Sequence, residues 1–246
     1  MSAPTTHRRA AFLSATSTLV VADLHVGRAE ASNVGLLLDE RADLRSRLTA
    51  ALAATDPETV IFAGDLLHRF GAPTPRAVAT VRDLAGLVRA TGARPVAVAG
   101  NHDGGLTDAW PGPVHDAYRL ADGTVVCHGH AVPEVDGERY VCGHVHPALT
   151  VGGRKHDCFL RTAAGYRDRP VLVVPAFSAL AAGVRLEERA TVDSPLVPDM
   201  ESVRPGVVQS GAVAPEGRRT ETGDDDPAAT LWFPPLADLR PSLRQR

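Results

Sequence analysis

Residues 60–68 read Val-Ile-Phe-Ala-Gly-Asp-Leu-Leu-His, so a short apolar run passes through a glycine into Asp65 and ends at His68. The run shows no alternation of apolar and polar residues, which is typical of a strand covered on both faces. Comparable runs occupy residues 19–22, 96–99, 125–127, 140–142 and 171–174. The sequence therefore predicts several short, buried strands.

Helices are predicted between the first three strands. After the first strand, apolar residues fall on one stripe at helical spacing, and this helix has to end before Asp56-Pro57. The stripe consists of Leu37, Leu44, Leu48, Ala51 and Leu52. A second helix is predicted from Thr74-Pro75, an N-cap followed by a first-turn proline, to a stop at Gly92. This alternation of strand and helix predicts a right-handed, parallel α/β core.

After residue 113 the apolar runs lie closer together along the chain. Turn-forming pairs join them, namely Asp122-Gly123, Asp136-Gly137 and Gly152-Gly153. Such pairs between short strands favour hairpins. We therefore predict a second sheet, built of antiparallel hairpins and packed on the first.

The C-terminal region has a different character. Residues 1–190 are predicted to form the folded domain. Residues 191–230 are broken by prolines and glycines, contain the acidic run Asp224-Asp225-Asp226, and are predicted to be a flexible, disordered linker. Residues 231–246 begin with a short apolar segment that includes Trp232 and Phe233. Either this segment folds back onto the domain, which we favour because exposed aromatic patches are usually covered, or it docks onto a partner.

The composition excludes several classes of protein. The chain has 246 residues, of which 44% are hydrophobic, and this suits a globular core. A net charge of −3 and an aromatic content of 4% argue against a strongly basic nucleic-acid coat and against stacking platforms for single strands. No apolar run approaches the ~20 residues of a membrane helix. Three cysteines are too few for a disulfide framework, so we expect a reducing compartment, the cytoplasm.

The N-terminus contains a stretch that resembles a twin-arginine export signal. Residues 7–13 read His-Arg-Arg-Ala-Ala-Phe-Leu. A signal needs an uninterrupted apolar stretch, and Ser14 and Thr16 interrupt this one. We therefore expect a first strand of the domain here and not a leader.

Five consecutive strands lead into polar groups that stand beside glycines. The groups are Asp23-Leu24-His25, Gly64-Asp65, Gly100-Asn101-His102-Asp103, His128-Gly129-His130 and Gly143-His144-Val145-His146. Ligands of α/β sheets bind at the carboxyl ends of the strands, so these five loops are expected to converge. Alternate residues of a strand share a face, so each Asp-x-His or His-x-His pair points two side chains the same way.

These residue types indicate a metal centre. Carboxylate, amide oxygen and imidazole without cysteine suit Mn²⁺, Fe or Zn²⁺. The candidate ligands are Asp23, His25, Asp65, Asn101, His128, His144 and His146. Seven are too many for one ion but fit two ions that share a bridging carboxylate, an arrangement used for displacement at phosphorus.

The ordered series of motifs resembles the calcineurin-like metallophosphoesterase superfamily, over residues 19–146 and on to about residue 187. The resemblance implies a two-sheet α/β/β/α sandwich. Several stretches look most like the ligase-associated DNA damage response endonuclease group and its archaeal phosphoesterase relatives. These stretches are Ala-Asp-Leu-His-Val-Gly-Arg, Gly-Asp-Leu-Leu-His, His-Pro-Ala-Leu and Val-Val-Pro-Ala-Phe-Ser-Ala-Leu-Ala-Ala-Gly.

The resemblance also implies a role for each motif residue. The first ion would be held by Asp23, His25, Asp65 and His146. The second would be held by Asp65, Asn101, His128 and His144. Asp65 would bridge two divalent ions, most readily Mn²⁺ with Fe or Zn²⁺ as alternatives, and a hydroxide between them would attack phosphorus. His102 would donate a proton to the leaving group or stabilise its charge, and Asp103 would orient the His102 ring.

Other residues keep two interpretations. Either His128 or His130 is the ligand; we favour His128, and His130 then contacts substrate or is simply exposed. His68 lies behind the ligands or only supplies polarity at a helix start. Arg28 binds a phosphate oxygen or is a solvated loop residue. A basic cluster near His156, consisting of Arg154, Lys155 and Arg161, follows a nucleic-acid backbone or forms a solvated face.

We therefore favour a dinuclear metal-dependent phosphoesterase that hydrolyses a phosphodiester, as a nuclease associated with DNA repair. Its substrate would be a phosphate ester such as DNA, its repair partners a ligase and a helicase, and it would not bind a membrane. One alternative is a small-molecule phosphomonoesterase or nucleotide phosphodiesterase. Another is an inactive metal-bearing scaffold that binds a partner through Trp232 and Phe233.

Overall fold

The computed structural model describes residues 2–31, 39–69, 71–208 and 230–243, and they form two β-sheets packed face to face. The first sheet has the order β1-β2-β3-β4-β5-β6. Its strands are β1 (Thr5–His7), β2 (Ala10–Leu13), β3 (Thr18–Val21), β4 (Thr59–Ala63), β5 (Arg94–Val98) and β6 (Val114–His115). The helices along this part of the chain are α1 (Arg28–Ala31), α2 (Glu40–Thr55), α3 (Pro75–Ala90) and α4 (Leu106–Ala109).

The parallel core predicted for the first sheet is confirmed. β3, β4, β5 and β6 run parallel, with Val20 opposite Ile61 and Ile61 opposite Val96. β1 and β2 add an antiparallel edge, so the stretch with the twin arginines contributes strand residues to the sheet. Because β3, β4 and β5 are parallel, their carboxyl ends lie at one edge of the sheet.

α3 begins and ends where the sequence predicts, and α2 ends where the sequence predicts. Thr74 Oγ1 accepts a hydrogen bond of 3.1 Å from the backbone N–H of Ala77, which caps α3. α2 ends at Thr55, and the next residue, Asp56, has a left-handed backbone. The predicted apolar stripe of α2 is buried, apart from Leu37, which lies outside the described residues. Both helices cover the outer face of the first sheet.

The second sheet is mixed. Its order is β13-β10-β11-β12-β9-β8-β7, and β14 pairs with both β11 and β15. Its strands are β7 (Ala117–Arg119), β8 (Thr124–Cys127), β9 (Arg139–Cys142), β10 (Pro147–Val151), β11 (Arg154–Thr162), β12 (Val171–Val173), β13 (Val184–Arg185), β14 (Arg204–Val208) and β15 (Thr230–Trp232). A last helix, α5 (Leu236–Leu243), follows.

The prediction of hairpins throughout this sheet is partly wrong. Asp122-Gly123 joins the antiparallel strands β7 and β8, and Gly152-Gly153 joins β10 and β11. Asp136-Gly137 does not form a hairpin, because β8 and β9 run parallel. A hairpin there would place the residues after β8 and those after β9 at opposite edges of the sheet. The parallel pairing brings both loops to the same edge.

Strand alternation divides the core into layers. Ile61 of the first sheet and Val126 and Leu172 of the second belong to the cluster between the sheets. Phe62, next to Ile61, points the other way and packs under the helices. The outer face of the second sheet is covered by irregular chain and by α5. These layers confirm the two-sheet sandwich.

Part of the segment expected to be a linker belongs to this outer layer. Leu196, Met200 and Val203 are buried against the second sheet, and residues 204–208 form β14. The prolines remove helical periodicity, but isolated apolar side chains between them still reach the core. The prediction of a linker is thus wrong for residues 196–208, and residues 209–229 lie outside the described residues.

The C-terminal aromatic segment folds back onto the domain. β15 pairs with β14, placing Trp232 opposite Gly206, and Leu236 is fully buried. This is the interpretation that the sequence favoured over a docking peptide. In the described part of the chain, no helix combines the length and apolarity that crossing a bilayer requires.

Candidate metal centre

The loops after five strands meet at one edge of the sandwich, and backbone hydrogen bonds tie four of them together in two pairs. The N–H of Asp23 donates to the carbonyl of Gly64 at 3.0 Å, and the N–H of His25 donates to the carbonyl of Asp65 at 2.9 Å. In the second sheet, the N–H of Gly143 donates to the carbonyl of His128 at 2.9 Å. The predicted convergence of these loops therefore takes place.

One group of donor atoms consists of Asp23, His25 and His146. His146 Nε2 lies 3.2 Å from Asp23 Oδ1 and 3.2 Å from His25 Nε2. His25 Nε2 is 3.8 Å from Asp65 Oδ2. These ring nitrogens and the carboxylate oxygen all face one small volume.

A second group consists of Asp65, His128 and His144. His128 Nε2 lies 3.4 Å from Asp65 Oδ1 and 3.1 Å from Asn101 Oδ1. Asp65 thus directs one carboxylate oxygen towards His128 and the other towards His25. All seven residues that the sequence singled out as ligands gather around this carboxylate.

The donor set fits divalent cations. Asp23 is fully buried, yet its Oδ1 accepts no hydrogen bond from any described residue. The buried Nδ1 of His25 also has no hydrogen-bond partner among the described residues. An unsatisfied buried carboxylate oxygen is costly, and a bound cation would remove that cost. The donors are oxygens and imidazole nitrogens without a thiolate, which suits Mn²⁺, Fe or Zn²⁺.

The backbone is strained at these residues. Positive φ angles occur at Asp23 (56°), His25 (48°), Asp65 (48°), His144 (67°) and His146 (46°). Residues other than glycine rarely adopt such angles, and they cost on the order of 1–3 kcal/mol each. Half of the ten such residues in the described chain are candidate ligands, so the strain is concentrated where the loops turn the donors inward.

Two glycines leave room for the donors. A Cβ at Gly64 would overlap the His128 ring, and a Cβ at Gly100 would overlap the Asp65 carboxylate. The Gly-Asp and Gly-Asn pairs of the motifs therefore reflect the close approach of neighbouring loops. Any larger residue would have to displace a candidate ligand.

Burial and charge shift the pKa values of the donors in different directions. Burial lowers the pKa of His25 to about 4, although the Asp23 and Asp65 carboxylates oppose this. Burial also disfavours the charged form of His128, but its hydrogen bond with Asp65 and the charge of Asp23 raise its pKa to about 9. Burial would raise the pKa of Asp65, but the hydrogen bond and charge of His128 hold it well below its usual range.

His102 stands beside Asp65. Its backbone N–H donates to Asp65 Oδ1 at 2.9 Å, and its ring Nε2 lies 3.9 Å from Asp65 Oδ2. Its ring Nδ1 is 3.0 Å from the carbonyl oxygen of His68, so this nitrogen carries a proton and donates it to that hydrogen bond. The ring is therefore oriented by a main-chain carbonyl.

Asp103 has a different role from the one expected, because its carboxylate is occupied by the backbone. It accepts hydrogen bonds from the N–H groups of Leu66, Leu67 and Gly100 at 3.2, 2.9 and 2.9 Å. These bonds join the loop after β4 to the loop after β5. Asp103 thus fixes the loops that carry Asp65 and Asn101, and the expectation that it orients the His102 ring is corrected.

Three further residues line the approach to the donors. His68 forms an additional group of potential ligands with His25 and His102, which the sequence did not predict. Burial, followed by the charge of Arg28, lowers the pKa of His68, so Arg28 lies near it. His130 lies on the other side, with its ring centroid 5.2 Å from that of His128 and outside the groups of potential ligands. Its position agrees with the preference for His128 as the ligand.

A residue from the expected linker also reaches the centre. Asp193 Oδ2 lies 3.8 Å from His144 Nε2, and the hydroxyl of neighbouring Ser194 donates to the carbonyl of Gly129 at 2.7 Å. The sequence contains no signal for this contact, because a single aspartate in a proline-rich stretch looks like solvated chain. Its proximity follows only from the packing of residues 196–203 on the second sheet.

The chain is similar to two solved structures. The fold is similar to that of the nuclease MPE of Pseudomonas putida, with a TM-score of 0.57 and 26% identity over 83% of this chain and 96% of that one. It is less similar to Yfce, a phosphoesterase from E. coli, with a TM-score of 0.41 and 17% identity over 68% of this chain and 83% of that one. No curated protein matches the sequence.

A comparison with family models is decisive. The model described as calcineurin-like phosphoesterase matches residues 16–147, which is more than half of the chain. The matched span contains all seven candidate ligands together with His102 and Asp103. With its clusters of His and Asp at the ends of the strands, the chain belongs to the calcineurin-like phosphoesterase family and is a metallophosphoesterase.

Proposed function

We propose that this metallophosphoesterase uses two metal ions to hydrolyse phosphodiester bonds in DNA. The observation that carries the proposal is the position of Asp65, whose two carboxylate oxygens face the two groups of donors. We assign Asp23, His25, Asp65 and His146 to the first ion. We assign Asp65, Asn101, His128 and His144 to the second.

Two divalent ions would supply a hydroxide nucleophile at neutral pH and would neutralise charge on the phosphate. The chain's own contribution is to hold the donors in place before substrate arrives. Asp103 fixes the two loops of Asp65 and Asn101 through three backbone N–H groups. The hydrogen bond from the N–H of Gly143 to the carbonyl of His128 connects the loops of the second ion.

We assign His102 to the leaving group, to which it would donate a proton or whose charge it would stabilise. Its Nδ1–H is held by the carbonyl of His68, so its Nε2 faces the centre beside Asp65, and the proton for the leaving group would come from an Nε2–H of the ring protonated on both nitrogens. A positioned imidazole of this kind contributes about 10²–10⁴ to the rate when it protonates or stabilises a leaving group. His68 and Arg28 lie on the same side and would contact the substrate phosphate, whereas His130 would contact it from the other side.

DNA is proposed as the substrate because the chain resembles a nuclease over 83% of its length. A small phosphate monoester or a nucleotide diester is the second candidate. It is favoured by the net charge of −3 and by the exposed carboxylate of Asp193 beside His144, since both would repel a long polyanion. The inactive scaffold has less support, because Trp232 pairs within the sheet through β15.

We further propose that the metal is Mn²⁺ and that the protein is located in the cytoplasm. We also propose that it belongs to the endonuclease group named above and that its repair partners are a DNA ligase and a helicase. Mixed oxygen and imidazole donors support the metal. The three cysteines, which are buried and unpaired, support a reducing compartment. The partners rest on the resemblance of the motifs alone.

The test is to assay the Mn²⁺-loaded chain on bis-p-nitrophenyl phosphate, on p-nitrophenyl phosphate, and on single-stranded, nicked and flapped DNA. We expect diester hydrolysis and DNA cleavage that both disappear in Asp65→Asn. Turnover of the monoester alone would favour the second candidate and contradict the nuclease. No turnover of any substrate by the metal-loaded chain would contradict the enzyme proposal.

A further inference from the structure

A cavity of about 540 Å³ lies at the end of the sandwich away from the metal centre. Arg139 begins β9, and Pro170 and Val171 stand at the start of β12, and all three line the cavity. β9 continues from there to Gly143 at the metal centre. Four residues of strand span on the order of 13 Å, so the cavity is separate from the metal centre.

Two arginines in the cavity wall face each other across a pair of strands. Arg161 of β11 is directly opposite Arg204 of β14, so both side chains stand on the same face. Like charges at such positions are destabilising. Among the described residues no carboxylate pairs with either one, and the Nε–H of Arg204 donates to the carbonyl of Phe233. Within the part of the chain that the structure describes, no acidic side chain compensates these two positive charges.

Further features of the cavity suit a ligand. The guanidinium of Arg161 lies 4.2 Å from the ring centroid of Trp232, which holds it over the wall. Arg139 is nearly buried, where it pairs with Asp122 and donates to the carbonyl of Ser2, and its Nε has no hydrogen-bond partner among the described residues. Ser2, Thr162 and Ser202 also line the cavity. Burial, and then the charge of Arg204, lowers the pKa of Arg161.

The remaining wall is apolar. It is formed by Ala163, Pro170, Val171, Leu172 and the Trp232 ring. A volume of about 540 Å³ is within the roughly 300–1,000 Å³ typical of sites for small ligands. Paired guanidinium groups recognise phosphate oxygens, and an apolar wall with an indole accommodates a planar body.

The sequence suggested a different neighbourhood for Arg161. It grouped this residue with Arg154 and Lys155 as one basic cluster. Those two residues are exposed at the start of β11, and seven residues of strand, on the order of 23 Å, separate Arg154 from Arg161. The spatial partner of Arg161 is Arg204, which lies in the segment expected to be a linker.

We propose that this cavity is a second binding site, specific for a nucleoside phosphate, with the phosphate held by Arg161 and Arg204 and the base against the apolar wall. The site is independent of the reaction proposed for the metal centre. Its ligand is either a free nucleotide or the terminal nucleotide of a strand. Both share the phosphate and the planar base that the cavity wall would recognise.

The test is calorimetric titration of the full chain with adenosine 5′-monophosphate. We expect one saturable site, weakened about tenfold or more in Arg161→Gln and in Arg204→Gln, since each loses a charge-assisted hydrogen bond. Arg154→Gln, at the other end of the same strand, should leave binding unchanged. Asp65→Asn should also leave it unchanged, which separates this site from the metal centre. Inorganic phosphate should bind more weakly than the nucleotide.

Competition between a 5′-phosphorylated oligonucleotide and adenosine 5′-monophosphate distinguishes the two ligands. If the oligonucleotide competes, the ligand is a strand terminus. If it does not compete, the ligand is the free nucleotide. The proposal is overturned by the absence of saturable binding at millimolar nucleotide, or by equal binding in the wild type and both arginine variants. Loss of binding in Asp65→Asn, or phosphate binding as tight as nucleotide binding, would overturn it too. If thermal melting shows that Arg161→Gln is unfolded, Arg204→Gln still tests the proposal, because Arg204 is exposed.

Discussion

The backbone N–H of His102 donates a 2.9 Å hydrogen bond to Asp65 Oδ1. The residue assigned to the leaving group is thus attached by its main chain to the carboxylate that faces both groups of donors. Because the bond comes from the backbone, it survives any change of the His102 side chain. Substitutions of the ring can therefore separate its chemistry from the integrity of the metal centre.

Replacing His102 with alanine should lower kcat by about 10²–10⁴ and leave the metal content unchanged. The ring is lost, but the N–H that supports Asp65 remains. Rates on bis-p-nitrophenyl phosphate and elemental analysis of the same samples check this. His156→Ala is the matched control, because His156 lies in β11, away from the centre. Loss of metal from His102→Ala would make this residue a ligand and refute its assignment.

Replacing Asp103 with alanine should destabilise the fold. The N–H groups of Leu66, Leu67 and Gly100 would lose their acceptor, and each unsatisfied buried donor costs about 1–3 kcal/mol. Urea unfolding should show a decrease in the free energy of unfolding of at least this size. Asp108→Ala is the control, because Asp108 is exposed in α4, and it should change the free energy of unfolding little. An Asp103→Ala variant as stable as the wild type would contradict the structural role.

Metal binding should release protons, and the affinity should increase with pH. A raised pKa of about 9 means that His128 is protonated at pH 7 in the metal-free chain. An imidazole has to be neutral to bind a metal, so its proton must leave. His25, with a pKa near 4, is already neutral and releases none.

Calorimetry of Mn²⁺ binding in buffers of different ionisation enthalpy measures these protons directly. We expect release of about one proton or more at pH 7 and an affinity that increases between pH 6 and pH 8. An affinity that is constant over this range, with no proton release, would show that His128 is neutral before the metal binds.

Replacing Leu236 with alanine should lower the free energy of unfolding by about 2–5 kcal/mol, since this fully buried side chain fills the outer layer of the second sheet. Leu231→Ala is the matched control, because Leu231 is half exposed in the neighbouring strand. Denaturant unfolding of both variants gives the comparison. Equal stabilities would mean that the C-terminal segment does not contribute to the core.

The strands and the metal motifs were predictable because both depend on local sequence. Residues 60–63 show the apolar run of a buried strand, and Gly64-Asp65 follows it directly, so the position of the carboxylate at the strand end could be inferred. The N-cap of α3 is equally local, because Thr74 and Pro75 mark the start of the helix in the sequence itself.

What failed depends on contacts between distant segments. The direction of β9 relative to β8 is not encoded in Asp136-Gly137, because the same pair is compatible with a hairpin or with a longer connection. Asp103 looked like a partner of the adjacent His102 ring. The N–H groups that donate to its carboxylate belong to Leu66 and Leu67 in another loop, and they became visible only in three dimensions. Residues 196–203 carry too few apolar side chains for a periodic pattern, although they cover the second sheet.

The proposed centre depends on one carboxylate that holds two ions, and counting the ions bound by Asp65→Asn tests this most directly. Elemental analysis after equilibration with Mn²⁺ and gel filtration should find two ions per wild-type chain. The variant should retain markedly fewer, with both sites weakened, and should have no phosphodiesterase activity. Two tightly bound ions in Asp65→Asn would contradict the shared carboxylate and, with it, the proposed centre.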